Sequence, residues 1–347
     1  MNGPSARPSG HRHRLAIAAL LAAACGAPSP APTPAAAPAA PAPASPTEPA
    51  ASAAARAAPP RAAAQGTEVV VDRRSPFSHI QVVDRGPLRS LLFLDERGKP
   101  WTQTTIDRQA PQQPQQAYVR GAFVASLWVP YPERWLIIGL GGGALVHALR
   151  GPYPALAIDG VEIDPVVAEL ARSHFQLADA AGLTIHVADG VAFLRDAGAA
   201  TWSVVFLDAF LEPGAAGTDG SGVPDPFRTD ELLQVIRGRL APGGVAVWNL
   251  HHKRSYGEHV AAIRRVFPQV YEFVLPGSAN RIVVGTLDPA RRDRAELQRM
   301  VGAIAKEPPG GPGTWPVNLG PIIAGLLAAP GATPPAGDRR APPRRPG

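Results

Sequence analysis

The chain has 347 residues, 45% of them apolar, which is enough for one large domain or two small ones with a real core. Its 41 prolines are too many for an ordinary globular chain, and they crowd into the two ends. The basic excess lies there too, +4 in residues 1–65 and +3 in residues 306–347 of a total of +6, so residues 66–305 stand near −1 and give no support to a basic nucleic-acid-binding face.

Residues 1–25 read as an export leader. A basic stretch (Arg7, His11, Arg12, His13, Arg14) precedes an apolar run, Leu15 to Ala24. That run falls short of the roughly 20 apolar residues of a membrane span, and no later segment reaches that length. The small residues Ala22-Ala23-Ala24 before Cys25, the single cysteine, resemble a bacterial lipobox, although Ala22 stands where that motif usually has Leu. The resemblance implies cleavage before Cys25, its lipidation, and an extracytoplasmic chain anchored to a membrane. The alternative is a cytoplasmic chain with a misread start, which needs a non-Met start codon because the only other Met is Met300. Residues 26–66, rich in Pro and Ala, are expected to be a disordered tether, and residues 306–347 a Pro/Arg-rich tail.

Residues 67–116 should form a small β-rich subdomain and linker. Strand-like runs at Glu68–Val71, Ile80–Asp84 and Leu88–Leu94 are separated by turn signals at Ser75-Pro76, Arg85-Gly86-Pro87 and Asp95–Gly98. Helical spacing of apolar residues follows over Ala117–Leu127, with Tyr118 near its start. Residues 117–305 make the main domain. Its predicted strands are Trp135–Leu140, Ala157–Ile163, Leu183–Ala188, Ser203–Leu207, Val245–Leu250, Tyr271–Leu275 and Arg281–Thr286. Helices are predicted at Gly143–Arg150, Pro165–Phe175, Gly190–Arg195, Thr229–Leu240, Tyr256–Phe267 and Pro289–Ala305. Near-continuous apolar strands alternating with helices indicate an α/β fold, a parallel sheet covered on both faces. The short connection around Gly277 makes the last two strands an antiparallel hairpin at one edge.

The chemistry concentrates at strand ends. The turn Gly139-Leu140-Gly141-Gly142-Gly143-Ala144 lets the backbone approach a nucleoside ligand, but it also satisfies the dinucleotide fingerprint of nicotinamide dehydrogenases. An ordered series of acids favours a different ligand. Glu162 ends the second strand of the main domain, Asp189-Gly190 the third and Asp208 the fourth, so all three can meet in the crevice outside the carboxyl ends. Glu162 would hold a ribose, Asp189 an adenine amino group, and Asp208 would face the reacting end. A plain helix-capping role for Asp189 is the competing reading. The adjacent pair His251 and His252 lacks further ligands at metal spacing, so no metal is expected; contact of the pair with substrate is left open. Trp101, Trp128, Trp135 and Trp202 read as core or edge packing.

Five βα units with a terminal hairpin are the arrangement of class I S-adenosylmethionine-dependent transferases, a seven-stranded Rossmann-like methyltransferase fold. The series GLGGG, VEIDP (Val161–Pro165), ADG (Ala188–Gly190), LDAF (Leu207–Phe210) and APGG (Ala241–Gly244), over about Ser75 to Leu287, resembles the spermidine synthase-like group. The resemblance implies S-adenosylmethionine or its decarboxylated form as cosubstrate, a small-molecule amine acceptor and a homodimer. It implies that Gly139, Gly141, Gly143, Glu162, Asp189 and Gly190 bind the cosubstrate, and that Asp208 and Tyr118 are catalytic. Two positions depart from that group, which carries acids where this chain has Gly142 and Leu211. Glu212, Asp219 and Asp225 in the following loop are the candidates to replace them. The GLGGG and VEIDP forms also resemble protein methyltransferases related to spermidine synthases, so methyl transfer is the alternative to aminopropyl transfer. A non-catalytic exported binding module is the third reading.

Overall fold

The computed structural model describes residues 66–177, 182–211, 215 and 217–328. The leader with Cys25, the tether through residue 65, Glu212 and the tail from residue 329 lie outside the described residues.

Four strands open the described chain: β1 (Glu68–Arg74), β2 (His79–Arg85), β3 (Leu88–Leu94) and β4 (Pro100–Asp107). They pair antiparallel in that order. Alternation along the strands buries Ile80, Val82, Leu91, Phe93 and Ile106 on one face. Three of these strands are legible in the sequence and β4 is not. Its run PWTQTTID holds few large apolar residues, so the period-two signal is weak. Threonine nevertheless suits a pleated, half-buried surface, and Pro100 takes the first strand position, where its missing N–H is tolerated.

The helix expected over Ala117–Leu127 is α1 (Ala117–Ala122), which tightens into a 3-10 turn over Phe123–Leu127. The main domain then alternates β5 (Arg134–Ile138), α2 (Ala144–Arg150), β6 (Ala157–Glu162), α3 (Pro165–His174), β7 (Leu183–Val187), α4 (Gly190–Asp196) and β8 (Trp202–Leu207). It continues through α5 (Asp230–Gly238), β9 (Leu240–His251), α6 (Tyr256–Val266) and the hairpin β10 (Gln269–Val274) and β11 (Asn280–Thr286). The seven strands lie in the order β10-β11-β9-β8-β5-β6-β7. The pairs from β7 through β9 are parallel, and β11 runs antiparallel to both β9 and β10.

Successive residues of each central strand feed opposite layers. Trp135, Ile137, Val204 and Phe206 join one apolar cluster with α1, α2 and α3, while Leu136, Ile138, Val205 and Leu207 join another with α4, α5 and α6. This double burial is why the strands read as continuous apolar runs. At the amino end of the sheet, buried Asp159 on β6 accepts from Arg134 Nε (2.7 Å) and Trp202 Nε1 (2.8 Å) and bonds the His186 ring (3.0 Å), tying β5, β7 and β8 to β6. Trp202 is therefore a packing residue, as expected. The strand order reverses between β5 and β8, and the carboxyl ends there are where an open α/β sheet binds its ligand.

Past the sheet, α7 (Arg294–Lys306) starts later than predicted, because the Asp293 carboxylate caps it by accepting from Glu296 N at 2.7 Å. The expected tail from residue 306 is corrected over residues 307–328. Val317, Leu319, Ile322 and Ile323 are buried, Trp315 packs edge-on against Phe123 with ring centres 5.2 Å apart, and α8 (Gly320–Ala324) closes the segment. These sparse apolar residues among Pro and Gly supply a docking face that overall composition hides.

Candidate active site

β5 ends at Ile138, and the chain turns through Gly139 (φ +88°), Gly141 (φ +54°) and Gly143 (φ +75°) before α2. Gly139 is required by two circumstances at once. Its φ is left-handed, and a Cβ there would lie 2.3 Å from the backbone oxygen of Asp208. The close approach arises because Asp208 N donates to Ile138 O at 2.8 Å, which clamps the end of β8 to the end of β5.

Two side chains hold the rest of the turn. Glu162, 8% exposed at the end of β6, accepts from Gly141 N through Oε2 (3.0 Å) and from Asp164 N through Oε1 (3.1 Å). Burial pushes its carboxyl above the ordinary value, against the lowering effect of these backbone donors. Thr104 Oγ1, on β4, accepts from Gly142 N at 2.9 Å. Gly142, one of the two departures from the group the sequence resembles, thus meets a buried hydroxyl. Asp164 caps α3 through Val166 N (2.9 Å), and its other oxygen accepts from Ser75 Oγ, linking the small sheet to the same corner.

Asp189 does cap its helix: Oδ1 accepts from Ala192 N at 2.8 Å, the competing reading of this residue. The same side chain lines the cavity, and Oδ2 has no hydrogen-bond partner among the described residues. Gly190, which opens α4, allows the helix to approach β5, since a Cβ would fall 2.5 Å from Ile138 Cγ2.

Asp208 is half-buried in the cavity wall. Burial pushes its carboxyl up to about 7, the Glu162 charge adds to that shift, and a bond donated by Asn249 Nδ2 (2.7 Å) opposes it. Asn249 Oδ1 in turn accepts from Asn280 Nδ2 at 2.9 Å, so β9 and β11 reach the site through a pair of amides. Burial, and then the neighbouring Asp208 charge, hold the Tyr118 hydroxyl well above its ordinary value, so it stays protonated; it is hydrogen-bonded to Thr104.

Two adjoining cavities meet at these residues. One, of about 150 Å³, is lined by the glycine turn, Glu162, Asp189, Asp208 and Tyr118. The other, of about 430 Å³, lies over β4, β9 and the β10–β11 connection. Gln103, Tyr118, Asp208, Phe210 and Leu211 line both. Thus Tyr118, Gly139, Gly141, Glu162, Asp189, Gly190 and Asp208 converge on one hollow. Gly143 stands back from it as the N-cap of α2, with a Cβ position 2.2 Å from Leu177 Cδ1, and so shapes the turn from behind.

Gln103, Thr104, Asn249 and Asn280 join the site without a signal short enough to single them out in the sequence, save one. An asparagine inside the apolar run VAVWNLH was the available signal for Asn249, because a polar group in a buried strand needs a partner. Trp101 does pack edge-on against Phe93, and it also lines the larger cavity. His251 lines that cavity, stacked on Phe210 with ring centres 4.5 Å apart. Two of the three candidate replacement acids are occupied elsewhere. Asp219, with a side chain 1% exposed, accepts from Ser221, Val223 and Ser255 and bonds His259; burial alone would raise its carboxyl, yet these partners hold it well below the ordinary range. Asp225 pairs with Arg228 at 2.6 Å. Among the described residues, no cluster of three or more His, Cys, Asp or Glu could hold a metal ion.

The parallel sheet with its terminal antiparallel hairpin is the class I S-adenosylmethionine-dependent transferase fold. No family model matches the chain. It is 31% identical over 252 residues to the polyamine aminopropyltransferase of Vibrio vulnificus (strain CMCP6), covering 71% of this chain and 80% of that protein. The chain therefore belongs to the polyamine aminopropyltransferase family. It is also 31% identical over 174 residues to the human eEF1A lysine and N-terminal methyltransferase, covering 48% of this chain and 24% of that larger protein. Among solved structures, a probable spermidine synthase from Corynebacterium glutamicum shares the fold, with a TM-score of 0.55 at 20% identity over 67% of this chain and 87% of that one.

Proposed function

We propose that this chain transfers an aminopropyl group from decarboxylated S-adenosylmethionine to an amine, with the nucleoside in the smaller cavity and the acceptor in the larger one. The single observation that carries the reading is Asp208, a wall of both cavities with a carboxyl pushed up to about 7. Transfer is an in-line displacement. The amine lone pair forms a bond to the carbon on the sulfonium, the C–S pair returns to sulfur, and the sulfur leaves as a neutral thioether. No acid is needed for that leaving group. The amine must arrive unprotonated and aligned, and a carboxylate within hydrogen-bond reach can orient it and take its proton.

The residues around the smaller cavity suit a nucleoside. The Glu162 carboxylate already accepts from the backbone N–H groups of Gly141, Asp164 and Ile163, and of its roughly four acceptor sites one is left for a ribose hydroxyl. Asp189 Oδ2 can accept from an adenine amino group, and Ile163 and Phe227 give that base apolar walls. Glu162→Gln should weaken binding of methylthioadenosine or S-adenosylhomocysteine about 10- to 100-fold, as expected when charge-assisted bonds worth roughly 1.5–3 kcal/mol are reduced. Isothermal titration checks this, and no binding of either thioether by the unmodified chain would sink the reading.

Methyl transfer from S-adenosylmethionine on the same scaffold is the second reading, favoured by the identity with the human methyltransferase. The released thioether separates the two: methylthioadenosine marks aminopropyl transfer and S-adenosylhomocysteine marks methyl transfer. The anchored, extracytoplasmic location suggested by the leader is a separate proposal. Labelled palmitate should enter the chain in a Cys25-dependent manner, and an unlabelled chain recovered wholly in the cytosol would refute it.

A further inference from the structure

The larger cavity carries an unusual set of charges for a site that would hold a diamine. Among the described residues that line it, Asp208 is the only carboxylate, and Arg120 on α1 is a fixed cation. The remaining polar wall is neutral: the amides of Gln103, Gln115, Gln116, Asn249 and Asn280, and the imidazole of His251. Burial, reinforced by the charge of Lys253, keeps that imidazole below its ordinary value and hence neutral near pH 7. Its Nδ1 is buried with no hydrogen-bond partner among the described residues.

Arg120 is half-buried and donates through Nη1 to the carbonyl oxygens of Pro114 (3.0 Å) and Gln115 (3.3 Å), but forms no ion pair among the described residues. Those carbonyls fix the guanidinium without neutralising it. The two described acids of the adjoining loop do not help, since Asp219 and Asp225 are engaged with His259 and Arg228. A diamine would bring two ammonium groups to one carboxylate and one guanidinium. An amine with a carboxylate at its far end would match both charges.

We propose, resting on the transferase reading above, that the acceptor is an amino-carboxylate rather than a diamine, its amine at Asp208 and its carboxylate at Arg120. In the transfer step the acceptor nitrogen bonds to the donor carbon, the C–S bond breaks with its electrons on sulfur, and the nitrogen proton passes to Asp208 and then to solvent.

The test uses the full chain preloaded with methylthioadenosine or S-adenosylhomocysteine, whose own titration reports separately on the nucleoside reading. The loaded protein is then titrated with 1,4-diaminobutane and with 5-aminopentanoate, which share a four-methylene spacer and differ in the charge of one end. The aminopentanoate should bind at least tenfold more tightly. Arg120→Gln should erase that preference while nucleoside affinity, a check on folding, stays unchanged, and Arg120→Lys should retain most of it. Equal or tighter binding of the diamine overturns the proposal. Binding of the nucleoside with neither amine following it overturns the proposal alone, whereas failure of the nucleoside to bind removes the transferase reading beneath it.

Discussion

Asp208→Asn should lower transfer by about 10²- to 10⁴-fold, the range lost with a positioned general base, while making the protein more stable at pH 8. The sign of the second effect follows from proton binding. The folded carboxyl titrates near 7 against an ordinary 3.8. Between those values the folded protein holds a proton that the unfolded chain has released, so stability falls as pH rises from about 4 to about 7 and stays low above that. Asparagine is neutral throughout, and its side-chain oxygen can still accept from Asn249. A shift of about three units corresponds to roughly 4 kcal/mol at most, and water entering the cavity reduces it to about 2 kcal/mol. That is a rise of about 4–8 °C in Tm at pH 8, vanishing below pH 4. Thermal scans of both proteins across that pH range check this, and a variant melting at or below the parent at pH 8 would contradict the account.

Gly139→Ala should be strongly damaging for a single added methyl. The new Cβ meets backbone rather than side chain, at 2.3 Å from Asp208 O and 3.1 Å from Ala209 N, and the φ of +88° is strained for alanine. Neither neighbour can rotate away, so the ends of β5 and β8 must part. We expect a loss of about 2–4 kcal/mol and nucleoside affinity reduced more than 100-fold. Gly198→Ala is the control. Its φ is +58° and its Cβ meets nothing within 4 Å, so only the backbone term of about 1 kcal/mol applies and nucleoside binding stays intact. Chemical denaturation and titration of both variants compare them directly, and similar losses in the two would show that crowding against Asp208 is unimportant.

The central βαβ unit was readable because its signals are local. Apolar runs, glycines and the acid that ends each strand lie within a few residues of one another, and the crossover rules then bring Glu162, Asp189 and Asp208 together. The terminal hairpin was legible for the same reason. Thr104 was not: it sits on a polar strand, and its partner Gly142 is 38 residues away. The Asn249–Asn280 contact likewise depends on β11 inserting between β9 and β10, a pairing that no short spacing announces. The segment at residues 307–328 was obscured by its own prolines, since composition averages over the few positions, such as Ile323, that dock.

The glycine turn is gripped from two sheets, by Glu162 of the large one and by Thr104 of the small one. The amino-terminal meander is thus half of the vice that shapes the glycine-rich loop. Fragments trimmed to begin at α1 would keep all seven strands of the Rossmann layer yet leave Gly142 without its hydroxyl partner. Anyone seeking a minimal competent unit should cut upstream of β1.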